Sequence, residues 1–160
     1  MASSAIAATI EENVRLGLPG DIAPVLKTVC MDQDCATFPA GIRTLIGEGG
    51  QRLSGGQQAR IALARTLFHP RPLLILDDPF AAVDMATERN IFGSLRQSYS
   101  DRIIFLISHR LTLFPELDQI IWLNGDGTSI IATHEVLYAS CQAYQDLYDL
   151  QHARGGASHA

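Results

Sequence analysis

The sequence is nearly without lysine: of its twelve basic residues, eleven are arginine and one is Lys27. A phosphate loop of the form G-x-x-x-x-G-K-[ST] needs a lysine behind glycines, so that backbone N–H groups and an ammonium together cradle the phosphates. Lys27 sits in DIAPVLKTV with no glycine run before it, so no such loop occurs in these 160 residues. Cysteine is scarce as well. Three residues are too few for a disulfide framework, and an odd count suits a reducing compartment. Cys30 and Cys35 with a distant histidine make a conceivable metal set, but packing as small apolar helix residues accounts for them more simply. Long apolar runs are missing too. PLLIL and IIFLI are far shorter than the roughly 18 residues of a membrane span. MASSAIAATIEEN has no positive flank and meets acid early, which makes it a poor signal peptide. The chain is therefore expected to be soluble, docking on a membrane partner at most.

What is present is a core-forming composition, 47% apolar and 18% charged, with a net charge of −5. That excludes a disordered charged tail. It gives no basic surface for nucleic acid, and none is expected as a partner. The length fits one domain or a large part of one.

The first third reads as helical. Thr9 is placed to cap a helix over 9–17 with Glu11 and Glu12 in its first turn, and Pro19-Gly20 ends it. Asp21 is placed to cap a second helix reaching Cys30, a third covers 31–37, and 38–53 is glycine-rich and irregular. Ser54 caps a longer helix closed by Pro70 and Pro72. From there strands and helices alternate. Leu73–Leu76 reads as a strand buried on both faces, 84–97 as helix, and Arg102–Ile107 as a second buried strand. The runs 119–123 and 128–132 flank Asn124-Gly125-Asp126-Gly127, which is hairpin chemistry. Thr133 is placed to cap a helix, and 141–152 form a last amphipathic one. This alternation predicts a layered α/β fold, in which chemistry gathers at the carboxyl ends of the strands.

Three places carry candidate chemistry. At Leu53-Ser54-Gly55-Gly56-Gln57, a capped helix start with two glycines offers free N–H groups and a partial positive charge to a phosphate. From these residues alone, a capped helix with no ligand is the commoner reading. At the tip of the first long strand, Asp77 is placed to hold Mg²⁺ and Asp78 to orient a water; alternatively, Asp78-Pro79 only caps the next turn. His109 follows the second strand, where its ring can meet a phosphate oxygen or serve the fold.

In order and spacing, LSGGQQARIALARTL (53–67), LLILDDPFAAVD (73–84) and FLISHRL (105–111) resemble the ABC ATPase family. They are similar to its signature motif, its Walker B strand with D-loop, and its switch histidine. TIEENVRLG (9–17) resembles the segment after the Q-loop in exporter-type members. TLIGEGGQRLSGGQ (44–57) resembles the exporter loop TEVGERG and the signature after it, with Glu48 at that loop's second glutamate, and ATHEVL (132–137) resembles the closing GTHDEL.

The resemblance implies a P-loop ATPase fold of ABC type, truncated at its N-terminus. A helical subdomain would cover about 5–70, the Walker B half and closing helices about 71–152, and a tail 153–160. It implies a sandwich with a second ABC ATPase domain, alike or different, and with ATP and Mg²⁺ between them. Leu53, Ser54, Gly55, Gly56 and Gln57 would then meet the γ-phosphate of ATP held by the partner. Asp77 would support Mg²⁺, Asp84 in the D-loop would couple the two sites, and His109 would sense the γ-phosphate. Glu48 would lie near a transmembrane transporter domain, which places the chain on the cytoplasmic face of the cell membrane.

Two departures stand out. The phosphate loop, the adenine-stacking aromatic and the Q-loop glutamine are absent, so the chain alone is expected to hydrolyse no ATP and to expose sheet edges and apolar faces. The base usually found after the Walker B aspartate is Glu, and here it is Asp78, one methylene shorter. That pattern resembles the weakened site of a two-component multidrug exporter. A non-hydrolytic module pairing with a complete ATPase is the alternative. A chromosome-maintenance ATPase is disfavoured by the acidic balance and by the lack of heptads.

Overall fold

The computed structural model describes residues 6–156, with side chains described through 153. Most of the tail expected at 153–160 lies outside the described side chains. The chain forms two compact units, residues 1–108 and 109–160.

The first unit opens with a helical layer. Strand β1 (Ala8–Thr9) runs straight into helix α1 (Ile10–Arg15). Thr9 and Glu12 cap each other: the Thr9 Oγ1 accepts from the Glu12 N–H at 3.1 Å, and the Glu12 carboxylate accepts from the Thr9 N–H at 2.8 Å. This reciprocal pair satisfies two donors that a helix start leaves open. Helix α1 ends before Pro19, at Leu16, whose φ of 45° turns the chain into the left-handed region.

Helix α2 (Ala23–Thr28) begins two residues after Asp21, whose Oδ1 accepts from the Ala23 N–H at 2.9 Å. It stops short of the expected Cys30, which takes a φ of 55°. Helix α3 (Asp32–Thr37) follows. The stretch expected to be irregular contains a 3₁₀ turn at Gly41–Arg43 and a short strand, β2 (Leu45–Ile46), antiparallel to β1. Two-residue strands carry no alternation to read, so this pairing leaves no sign in the sequence.

Helix α4 (Gly55–Phe68) then leads to β3 (Leu73–Asp77), α5 (Met85–Ser98) and β4 (Ile103–Ile107). Helix α4 packs on α1, α2 and β3, with Ile61, Ala64 and Leu67 buried. Its last carbonyls are held by Arg102, whose guanidinium donates to the Leu67 and His69 carbonyls at 3.1 and 3.2 Å.

Strands β3 and β4 pair in parallel, Leu73 with Ile103 through Asp77 with Ile107. The expectation of burial on both faces is corrected here. Leu74 and Leu76 are buried, but Leu73, Ile75, Ile103, Phe105 and Ile107 form a bare apolar face, with Ile75 63% exposed. Successive strand residues point to opposite faces, and this unit covers only one of them. An all-apolar run cannot show which face that is.

The second unit is a hairpin with two helices. Strands β5 (Ile120–Leu123) and β6 (Ser129–Ala132) are antiparallel. Their turn is pinned by Asp126, whose Oδ1 accepts from the Thr128 N–H at 2.9 Å, and by Gly127 at a φ of 88°. Helices α6 (His134–Ser140) and α7 (Gln142–Gly156) close over a core of Leu111, Phe114, Ile120, Leu137 and Tyr144.

Candidate functional site

The start of α4 is held by a second reciprocal cap. Ser54 Oγ accepts from the Gln57 N–H at 3.2 Å, and Gln57 Oε1 accepts from the Ser54 N–H at 3.0 Å. Leu53 is buried just before it, while Ser54 and Gly55 face solvent. The N–H groups of Gly55 and Gly56 fall in the first turn, where a helix supplies no partner. The end therefore presents donors and a partial positive charge, which is the right chemistry for phosphate oxygens.

Beneath this end lies the loop between β3 and α5. Asp78 stands at its entrance with a φ of 45°. Its N–H donates to the Ile107 carbonyl at 2.8 Å, which extends the β3–β4 ladder by one bond, and its carbonyl accepts from the Ala81 N–H at 3.2 Å. Aspartate tolerates this left-handed conformation better than most residues. Asp77 is exposed at the strand tip.

The loop then reaches α4. A β-carbon on Gly56 would stand 2.8 Å from the Ala82 carbonyl oxygen, and one on Gly55 would stand 3.5 Å from the Ala82 β-carbon. Gly56 is thus required by the loop itself. Asp84 closes the loop and caps α5. Its Oδ1 accepts from the Thr87 N–H at 2.9 Å, and that bond holds its carboxyl below the usual range.

Two further residues that hold α4 were not legible in the sequence. Asp34 on α3 accepts from Gln57 Nε2 at 2.8 Å through Oδ1 and from Arg60 Nη1 at 2.8 Å through Oδ2. Asp34 and Gln57 are 23 positions apart, and no local pattern links them. Asn13 on α1, fully buried, ties the same helix further along. Arg65 donates to its carbonyl at 2.7 Å and to its Oδ1 at 2.8 Å.

Leu53–Gln57, Asp77, Asp78 and Asp84 all lie in the first unit, and His109 opens the second. The His109 carbonyl accepts from Gln151 Nε2 at 2.8 Å, and Gln151 Oε1 accepts from the Leu111 N–H at 2.9 Å. Glu48 is exposed in the turn after β2. Burial pushes the Cys30 and Cys35 thiols up. No three His, Cys, Asp or Glu side chains gather as a metal set among the described residues.

The sequence matches the ABC transporter family over residues 7–81. The fold is similar to that of a bacterial Atm1-family ABC exporter with ATP bound, with a TM-score of 0.85 and 30% identity over 94% of this chain and 27% of that one. This chain belongs to the ABC transporter ATP-binding family. It carries part of an ATP-binding domain of exporter type.

Two relatives give its neighbourhood within the family. The CydC protein of a Bacillus subtilis glutathione/L-cysteine transport system, an ATP-binding/permease protein, is 41% identical over 114 residues, 71% of this chain and 20% of the relative. The multidrug resistance-like ATP-binding protein MdlA of Escherichia coli is 35% identical over 147 residues, 89% of this chain and 25% of the relative. The chain spans between a fifth and a quarter of the length of these relatives. Among the described residues, no helix is long and apolar enough to cross a membrane.

Proposed function

We propose that the chain lends its signature helix to ATP held by a second ABC ATPase domain, in an assembly that drives export through a transmembrane domain. The carrying observation is the doubly capped, solvent-facing start of α4, seated on the loop that leads to Asp84. Ser54 Oγ and the N–H groups of Gly55 and Gly56 meet the γ-phosphate there, and Gln57 keeps the turn closed. Leu53 anchors the approach from below. Because the donors are fixed before the ligand arrives, little is lost in ordering them.

Asp77 and Asp78 serve a separate site, whose phosphate loop is not among these residues. Mg²⁺ supplies charge neutralisation at the phosphates when bound, and the exposed Asp77 carboxylate is the group that would hold it. Asp78 orients the attacking water, and its short side chain leaves it displaced. A misplacement of about 1 Å costs about a hundredfold in rate, which suits the weaker site of a heterodimeric exporter. Asp84 transmits between the two sites through its loop, and His109 reads the γ-phosphate. Glu48, exposed on its turn, faces the transporter domain at the cytoplasmic side of the membrane.

The test mixes the chain with a complete ABC ATPase domain and follows ATP turnover. The wild-type chain is expected to stimulate it, and Ser54→Arg to abolish the stimulation. Equal stimulation by Ser54→Arg would remove α4 from the site.

A further inference from the structure

We infer that Asp34 is a positioning residue for the phosphate-facing end of α4, acting through Gln57. The inference rests on the reading of α4 proposed above.

Gln57 is an amide with a donor end and an acceptor end, and only one orientation serves the cap. Its Oε1 must face the Ser54 N–H, which it does at 3.0 Å. Asp34 enforces that orientation, because an ionised carboxylate only accepts and so selects Nε2, at 2.8 Å. Without Asp34 the amide is free to turn or to leave, and the Ser54 N–H loses its acceptor. Ser54 Oγ keeps its bond from the Gln57 N–H at 3.2 Å, but the residue that carries it is then held by one bond of the cap instead of two.

A carboxylate beside a phosphate site is ordinarily a liability. Here Arg60 neutralises it. The guanidinium meets Asp34 Oδ2 at 2.8 Å, also donates to the Cys30 carbonyl, and reaches the Gly56 carbonyl at 3.3 Å through Nε. The two side chains are only 14% and 26% exposed, so water competes weakly for the pair. Charge-assisted bonds of this kind are about twice as strong as neutral ones. Asp34 thus gives α3 a direct hold on the one turn of α4 that faces the ligand.

The test uses the full chain with a complete ABC ATPase domain, measuring kcat and KM for ATP alongside the thermal midpoint of this chain. Asp34→Ala is expected to lower stimulated kcat about tenfold, the scale of a coupled contact, with KM shifted far less. Asp34→Asn keeps the size but sets an NH2 donor against either Gln57 Nε2 or Arg60 Nη1, so it is expected to lower stimulated kcat nearly as much as Asp34→Ala. Asp34→Ala combined with Gln57→Ala should be no slower than Gln57→Ala alone.

An Asn variant as fast as the wild type would overturn the inference, and so would additive effects in the double variant. If Asp34→Ala does not fold, the Asn variant and the comparison of Asp34→Asn with Gln57→Ala decide alone. Should Ser54→Arg leave turnover unchanged, the reading of α4 itself fails. Should Ser54→Arg abolish stimulation while Asp34→Ala leaves kcat intact, only the role of Asp34 fails.

Discussion

Gly56 lies so close to Ala82 that a β-carbon on the glycine would stand 2.8 Å from the Ala82 carbonyl oxygen. Backbone cannot yield as a flexible side chain does, so either the start of α4 or the loop before Asp84 must shift. Gly56→Ala is therefore expected to destabilise the chain by about 1–3 kcal/mol, the usual cost of overpacking. Gly55→Ala meets Ala82 at 3.5 Å, an ordinary contact. It should raise stability slightly, by about 0.4–1 kcal/mol, by stiffening the unfolded chain. Thermal melts of the two variants check the contrast; equal midpoints would refute it.

Asn13 should be a stability hot point of the first unit. It is fully buried. Its Nδ2 donates to the Ile6 and Thr9 carbonyls at 2.9 Å each, while its Oδ1 accepts from the Ile6 N–H and from Arg65. Burial already works against the Arg65 charge, holding its pKa down. Asn13→Ala strands several of these partners and is expected to cost about 1–3 kcal/mol. Denaturant unfolding measures it, and a cost under about 0.5 kcal/mol, the scale of an ordinary surface change, would contradict the network.

The second unit should lose stability in alkali. Burial pushes the Tyr144 hydroxyl from its ordinary 10.0 up to about 12, and that hydroxyl meets His134 Nδ1 at 2.7 Å. Between these values the unfolded chain has released the proton while the folded one keeps it, so stability falls as pH rises. The contribution is whole below pH 10 and is lost as pH climbs through about 12. Tyr144→Phe should flatten that alkaline limb. Circular dichroism melts across the range would expose an unchanged limb, which would count against the assignment.

The bare face of β3 and β4 should govern solubility and not folding. Ile75 and Phe105 sit opposite each other in the ladder and are both exposed. Ile75→Thr and Phe105→Thr are expected to raise the soluble fraction of the chain with little change in thermal midpoint, because a large apolar patch invites association. Leu74, on the other face, is only 3% exposed. Leu74→Ala should cost about 2–5 kcal/mol as a core cavity. Sedimentation together with melting separates the two faces.

Much of the site was legible because its parts are local. Thr9 with Glu12 and Ser54 with Gln57 each lie three residues apart, and a reciprocal cap needs only that spacing. The strands ending at Asp77 and Ile107 announced themselves as short apolar runs, and Asn124–Gly127 announced the hairpin. What escaped were contacts between distant segments: Asp34 to Gln57, Asn13 to Arg65, Gly56 to Ala82. Each depends on how α1, α3 and the loop after β3 pack on α4, and no residue type marks such a meeting in advance.

The amino-acid sequence by itself determined the family, the order of the longer elements, the absence of a G-x-x-x-x-G-K-[ST] loop, and the residues that cap α1 and α4. These follow from local spacing and side-chain chemistry. Only the tertiary structure decided which face of β3 is covered, why Gly56 must lack a side chain, and which carboxylate orients Gln57. The physical reason is the same in each case: strand faces, close backbone approaches and long-range hydrogen bonds exist only once separate segments of the chain have packed together.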